Sequence, residues 1–305
     1  MDALTAFAIR STLCLNRQEL LATGVSPRAI ASAVHSGAVV RARRGVYCPV
    51  SAPTHVIRAL RVGGLAAGTT AAEVFGLWVP ERRLTEVWLP HSASRLRSPD
   101  NRRLALARAD RSGLRTHWSP LLDPAAATSW RVGAHDAVAQ CLRCLPRDFA
   151  LAVLDSALRT AVVGPYELAS LATALPARRR SLISLADARA GSGTETLVRL
   201  ALHDAGLRVT PQVNVAGVGL VDLLVGTRVV VEVDSESWHS TPEQRAEDYR
   251  RDLELHRLGY VVVRVSYEQA MRQRAEVVRA VVVAVRASRT AGNSLRHRRS
   301  QLRLT

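Results

Sequence analysis

From residue 219 to 234 the chain reads Gly-Leu-Val-Asp-Leu-Leu-Val-Gly-Thr-Arg-Val-Val-Val-Glu-Val-Asp. Two apolar runs flank Gly226-Thr227, the pattern of two core strands joined by a tight turn. Glu232 and Asp234 stand two residues apart, so on a strand both side chains point to one face. A two-residue turn places Asp222 almost opposite Val231 and Glu232. Carboxylates that converge within apolar strands repel one another, and a divalent cation relieves that cost. Mg²⁺ (or Mn²⁺) suits such a place, because Mg²⁺ takes few carboxylates and keeps several waters. Asp222, Glu232 and Asp234 are therefore the expected metal ligands.

The surroundings place this hairpin in a domain. A helix over 194–205 ends at Gly206, and a strand follows over 207–215. The hairpin strands span 219–225 and 228–234. A charged helix over 241–258 is stopped by Gly259, a buried strand covers 260–265, and a last helix covers 272–287. That order, α-β-β-β-α-β-α, suits a mixed sheet flanked by helices. Ala190-Gly191-Ser192-Gly193 is the clearest linker in the chain and sets the domain's start at 191. Ser192-x-x-Glu195 reads equally as a helix capping box or as a further acid serving the site. His239 reads as a turn histidine or as a site residue, and Trp238 as a core anchor.

Residues 5–50 follow a different plan. Asn16 caps a helix from 17 to 22 that Gly24 ends, and Ser26-Pro27 opens a second helix from 28 to 36 that Gly37 closes. Two short strands then surround Arg43-Arg44-Gly45. Two helices joined by a tight turn and followed by a basic hairpin is winged-helix order. Arg28 falls on the presumed recognition helix, and Arg41, Arg43 and Arg44 on the wing, where DNA phosphates would lie. A packing module with solvated Arg is the alternative. Between 55 and 190, helices are expected over 56–65, 69–75, 128–145 and 149–159, with a strand over 84–89. The expected division is a winged helix at 1–54, a middle α/β region at 55–190, the mixed-sheet domain at 191–287 and a basic tail at 288–305. The whole is an α+β, mixed fold.

Charge points to the partner. The chain of 305 residues carries 42 basic side chains, every one Arg, against 26 acids, for a net +16. A GC-rich genome explains the missing Lys as well as phosphate recognition does, but it does not explain the excess over acids. Residues 1–190 carry +12, while 191–285 carry −2 and the last 20 residues hold six Arg and no acid. That balance favours a polyanion, DNA above all. No stretch reaches the ~18 apolar residues of a membrane span, and residues 1–10 lack the features of a secretory signal. A cytoplasmic, nucleoid-associated protein without a membrane partner is expected. Cys141-Leu-Arg-Cys144 has C-x-x-C spacing, but no second pair lies near it, and packing cysteines at i and i+3 of a helix are expected.

Asp222, nine residues, then Glu232-Val233-Asp234 is similar to the D-x(n)-E-x-K signature of PD-(D/E)xK nucleases. Val231-Glu-Val-Asp-Ser-Glu-Ser-Trp-His239 resembles the matching segment of very-short-patch-repair endonucleases and their bacterial relatives. Those relatives carry a Glu in the preceding helix, matching Glu195, and Arg-Asp before a Gly-Tyr/Trp strand, matching Arg251-Asp252 and Gly259-Tyr260. The resemblance covers about 190–285. It implies a restriction-endonuclease-like fold and metal-dependent phosphodiester hydrolysis, with Glu195, Asp222, Glu232, Asp234 and His239 as catalytic residues. The signature's Lys position is Asp234, its usual following Gly is Ser235, and the Pro before the first Asp is Val221. Residues 20–47 and 65–76 resemble AbiE-type antitoxins, which implies operator binding and a nucleotidyltransferase toxin as partner. Two functions follow as expectations: a Mg²⁺-dependent DNA endonuclease, or an antitoxin-like regulator whose nuclease fold is inert.

Overall fold

The computed structural model describes residues 14–81, 84–234 and 242–301. The chain packs into two compact units, residues 1–145 with 160–183, and residues 146–159 with 184–305. The helix over 147–159, assigned from sequence to the middle region, thus packs with the C-terminal segment.

The first unit begins with β1 (Leu15–Asn16), α1 (Arg17–Ala22), α2 (Pro27–His35), β2 (Val39–Arg43) and β3 (Val46–Pro49). The strands form an antiparallel sheet of order β1-β3-β2. Asn16 and Glu19 close a reciprocal capping box on α1, at 2.9 and 2.6 Å. Ser26 caps α2, with Pro27 in its first turn. Leu20, Val25, Ile30, Ala33, Val39 and Tyr47 bury together beneath these elements. This is the winged-helix order expected. The β2–β3 register slips between Arg41 and Arg43, so that Arg41 pairs with Tyr47 and Arg43 with Val46; such a bulge turns successive side chains in new directions.

The unit continues through α3 (Thr54–Val62), β4 (Leu65–Ala66), α4 (Gly68–Val74), β5 (Thr85–Trp88), β6 (Leu114–His117) and α5 (Ala134–Cys144). β4, β5 and β6 form a mixed sheet in that order. The expected helix over 128–145 starts six residues late. Trp130 and Val132 bond Ala66 of β4 through Ala66 N–H to Trp130 O (2.8 Å) and Val132 N–H to Ala66 O (3.0 Å). That stretch is extended, and α5 begins only after Gly133. After α6 (Arg147–Arg159) of the second unit, α7 (Pro165–Ala174) and α8 (Ser181–Leu185) follow.

The second unit holds α6, α9 (Gly193–Asp204), β7 (Val209–Val215), β8 (Gly219–Val225), β9 (Val229–Val233), α10 (Pro242–Arg257), β10 (Val261–Val265), α11 (Tyr267–Arg272) and α12 (Arg274–Gln301). Its sheet has the order β10-β9-β8-β7, antiparallel except that β10 runs parallel to β9. A parallel neighbour needs a crossover, which α10 supplies. On one face Leu223, Val225, Val229, Val231 and Val265 pack with Val198, Leu202, Val277 and Val281. On the other, Val221 and Val230 pack with Leu255 of α10. Each such side chain contributes roughly 1.5–3 kcal/mol relative to exposure, so both faces of the hairpin strands are held and their register is fixed. The helix expected over 272–287 is α12, which runs from Arg274 to Gln301 through most of the expected tail, and a short unexpected helix precedes it: Ser266 and Gln269 box the start of α11, and Gln273 ends it.

Asp155 of α6 fixes this unit internally. Its carboxylate, 1% exposed, takes the Arg199 guanidinium and the Thr196 hydroxyl of α9, each at 2.7 Å, and the Asp187 N–H at 2.8 Å. Burial raises its proton affinity, and Arg199 opposes that most strongly.

Candidate functional site

The carboxylate site grows from the point where the β8–β9 ladder stops. Its last register pair toward the site is Leu223 with Val231. One step further the backbone pairing is replaced by side chains. The Val233 N–H donates to Asp222 Oδ2 at 2.8 Å, and the Asp222 N–H donates to Glu232 Oε2 at 3.4 Å. Val221 and Leu223 bury on either side of Asp222, so the strand cannot slip to release it.

Glu195 reaches the same place from the first turn of α9. Its own N–H is capped by Ser192 Oγ (3.1 Å), while its carboxylate accepts the Gly191 N–H (2.9 Å) and the Gln212 amide (2.9 Å). Gln212 Nε2 also lies 3.3 Å from Asp222 Oδ1, and so bridges the two acids. Ser192 thus caps the helix, but the reciprocal half of a capping box is absent: the Glu195 carboxylate turns to Gly191 and Gln212, toward Asp222, instead of to the Ser192 N–H. Gln212 has φ 51, and the β7–β8 register passes over it, pairing Pro211 with Leu223 and Val213 with Val221. A left-handed residue that is not Gly costs about 1–3 kcal/mol and persists where its surroundings demand it. Gly191 gives the room: a Cβ there would lie 2.8 Å from Glu195 Oε1 and 3.1 Å from Gln212 Nε2. Sequence reasoning missed Gln212; the signal was Pro211, which cannot donate to a ladder and marks an edge strand or bulge.

Two guanidinium groups complete the rim. Arg251 of α10 lies 3.5 Å from Glu232 Oε1. Arg264, paired in register with Glu232 from β10, grips Asp252 at 2.9 Å and lies 3.6 Å from Asp234. Together with Asp248 these residues line an open cleft of about 250 Å³. The chain lacks Lys, but the site does not lack cations. Burial and the nearby Asp222 charge push the Glu232 carboxyl up to about 8, against the opposing pull of Arg251. Burial, then Asp222, also raises Glu195, which Gln212, Gly191 and Ser192 partly offset.

Asp222 and Glu232 are thus brought together, with Glu195 linked through Gln212. Asp234, its side chain 56% exposed, stands on the Arg264 side of the cleft. Among the described residues no group of three or more His, Cys, Asp or Glu side chains is arranged to hold a metal ion, so the trio of Asp222, Glu232 and Asp234 is not gathered around one point. His239 and Trp238 lie outside the described residues. Two carboxylates held side by side, with the Asp222 charge raising the proton affinity of Glu232, fit a hard cation that fills its remaining positions with water.

In the winged helix, Arg28 on α2 and Arg44 at the wing turn are exposed. Arg41 lines a groove of about 470 Å³ with Arg17, His35 and Tyr47. Arg43 departs from expectation: after the bulge it is half-buried near Gly63, and burial lowers the proton affinity of its guanidinium. Arg17, exposed at the start of α1, is the cation the sequence reading left out. Among the described residues no helix is long and apolar enough to cross a membrane.

A mixed sheet with acids at the open end of its hairpin, flanked by helices, is of the restriction-endonuclease-like class. Residues 195–285 match the family model REase_MTES_1575, a restriction-endonuclease-like domain, and residues 2–50 match that of the transcriptional regulator, AbiEi antitoxin. Two uncharacterized proteins of Mycobacterium tuberculosis, MT2308 of strain CDC 1551 / Oshkosh and Rv2248 of strain H37Rv, are each 30% identical over 161 residues, 49% of this chain and 59% of theirs. The chain thus spans about six-tenths of the length of the curated relatives it matches. No solved structure gives a significant match.

Proposed function

We propose that this chain binds DNA through its winged helix and hydrolyses DNA phosphodiester bonds at the Asp222–Glu232 site with Mg²⁺ or Mn²⁺. The observation that carries the reading is the Asp222–Glu232 pair itself. Two carboxylates are held against each other where the two central strands of the sheet part, at a cost that a divalent cation would remove. Asp222 and Glu232 would hold the cation, with Asp234 reached through water. When bound, such an ion lowers the pKa of an attacking water and stabilises charge on the phosphate. Gln212 and Glu195 keep Asp222 in place. Arg251 and Arg264 offer the guanidinium forks that suit phosphate oxygens, and His239 is assigned as a proton carrier or phosphate contact.

The second reading is a DNA-binding regulator of the antitoxin type, with an inert nuclease fold and a nucleotidyltransferase toxin as partner. The favouring observation is that both site cations are engaged by acids: Arg264 by Asp252, and Arg251 by Glu232. Incubating supercoiled plasmid with the purified chain, with Mg²⁺ and with a chelator, separates the two. Metal-dependent nicking that Asp222→Ala abolishes supports the enzyme. DNA retention without cleavage at any Mg²⁺ or Mn²⁺ level supports the regulator.

A further inference from the structure

The groove of about 470 Å³ in the winged helix is built by the sequence from three directions. Ile30, Ala31 and Val34 recur at helical spacing, so one face of α2 forms an apolar wall. Arg41 and Tyr47 are register partners across β2 and β3, which brings their side chains to one face of the sheet. The Arg17 N–H donates to the Gly45 carbonyl at 2.9 Å, which anchors the start of α1 at the wing turn, and the Arg17 side chain reaches the groove. His35, in the last turn of α2, completes the lining.

The polar groups of this groove lack counterparts. Among the described residues no hydrogen bond or ion pair engages the side chains of Arg17, His35, Arg41 or Tyr47. Arg41 Nε is cut off from solvent and has no acceptor. A buried donor left in that way carries a standing cost, which a group that accepts from it removes. Other guanidinium groups of the chain are matched: Arg199 by Asp155, Arg264 by Asp252 and Arg274 by Asp148. A free guanidinium fork takes a carboxylate through two parallel bonds. The apolar wall and the Tyr47 ring, 7% exposed, call for something a bare phosphate lacks, a flat apolar body. A concave site of this size, apolar with a few convergent polar groups, has the character of a small-molecule site. Arg28 and Arg44, also assigned to DNA, do not line it.

We propose that this groove is a binding site for a small aromatic carboxylate. Arg41 and Arg17 take the carboxylate, and the ring lies against Ile30, Val34 and Tyr47. The site itself goes beyond the DNA-binding reading and does not depend on it. One consequence does rest on that reading. Arg41 is also assigned to DNA phosphate, so an occupied groove withholds it from the duplex, and by linkage bound DNA lowers the affinity for the carboxylate by the same factor. The winged helix thus carries an effector site that shares one cation with its DNA surface.

Calorimetric titration of the full chain, freed of nucleic acid, with naphthoate tests this. Naphthamide, which keeps the rings without the charge, and inorganic phosphate, which has charge without rings, are the comparisons. Naphthoate should bind saturably at one site, and each comparison should bind more weakly by roughly tenfold or more. Arg41→Gln should weaken naphthoate by a similar factor. Ala31→Phe, at an exposed helix position, should fill the groove and abolish binding with the thermal midpoint unchanged. Phosphate or naphthamide bound as tightly as naphthoate would reduce the groove to a backbone contact or an apolar patch. Naphthoate binding that both variants retain would place the ligand elsewhere. Either result overturns the proposal, as does the absence of naphthoate binding at millimolar concentration. Anisotropy of a labelled duplex separates this site from the DNA reading: naphthoate that binds as expected without loosening DNA keeps the site and removes Arg41 from the DNA contact.

Discussion

The side chain of Asp222 stands in for a strand carbonyl: its Oδ2 accepts the Val233 N–H at 2.8 Å, one step past the last backbone pair of the hairpin. A residue that completes a ladder with its side chain cannot rotate away without leaving a backbone donor unpaired. Asp222→Ala should therefore cost about 1–3 kcal/mol in metal-free buffer, the penalty for an unsatisfied buried donor. Calorimetric titration of Mg²⁺ or Mn²⁺ checks the second half of the expectation, saturable binding by wild type and none by the variant. Equal binding by the two proteins moves the metal elsewhere.

Gln212 makes a sharper case, because it carries no charge. Its amide spans Glu195 and Asp222 from a left-handed backbone position. Gln212→Glu places a third carboxylate where a donor stood. It should destabilise the metal-free chain by roughly 1–3 kcal/mol, read as a lower thermal midpoint, and part of that loss should return on adding Mg²⁺. Gln212→Gly relieves the backbone strain but removes the bridge, and should lower the rate of any cleavage more than it lowers the midpoint.

On the winged helix the bulge between Arg41 and Arg43 sorts the cations. Arg28 and Arg44 are exposed and Arg41, half-buried, lines the groove beside α2, whereas Arg43 lies half-buried beside Gly63. Each lost phosphate contact should reduce the slope of log affinity against log salt by roughly one unit. Replacing Arg28, Arg41 and Arg44 with Ala should flatten the slope accordingly. Arg43→Ala should leave it unchanged and lower the thermal midpoint instead, by about 1 kcal/mol of lost packing. Fluorescence anisotropy on a DNA duplex across a salt series reads both.

How much of this could be read from residues alone follows from how local each feature is. The hairpin and the approach of Asp222 to Glu232 are consequences of valine-rich runs around Gly226-Thr227, so they were legible; the turn, however, takes in Arg228 as a third residue, so Val225 pairs with Val229 and the register moves one step from the two-residue expectation. The caps at Asn16 and Ser26 were legible for the same reason. Gln212 was not, because its role needs a bulge in β7 and the start of α9 at once. Arg251 and Arg264 meet the acids only through the crossover that lays β10 beside β9. Cys144, expected to pack beside Cys141, is exposed because α5 ends at it. The late start of α5 has its cause in β4, whose Ala66 holds Trp130 and Val132 in extended form.

The Asp155–Arg199 pair should behave as a structural ion pair. Removing one partner leaves a charge buried without compensation, which costs about 3–5 kcal/mol. Arg199→Met should fall in that range by urea unfolding, whereas the double change Asp155→Leu with Arg199→Met should recover most of the loss. A single variant as stable as wild type would show the carboxylate to be reached by water.

Glu232→Gln separates chemistry from architecture. The folded-state pKa of Glu232, about 8, lies above the ordinary carboxylate value, so the folded protein prefers the protonated form. The stability this gives is fully present below the unfolded value near 4.5 and is lost as pH rises through about 8. Gln keeps the shape without the charge. In metal-free buffer at pH about 9 the variant should be more stable than wild type by on the order of 2 kcal/mol, a rise of several degrees in Tm. Below pH about 5 the gain should vanish, since wild type is then protonated as well. Mg²⁺ should reverse the ranking at high pH, because wild type offers two carboxylates and the variant one. In a cleavage assay the same variant should lose nicking and bind DNA as tightly as wild type or more tightly, a negative charge near phosphate having gone. Undiminished nicking by highly purified Glu232→Gln would remove Glu232 from the chemistry, and a Tm difference independent of pH would remove the carboxylate repulsion from the account of its stability.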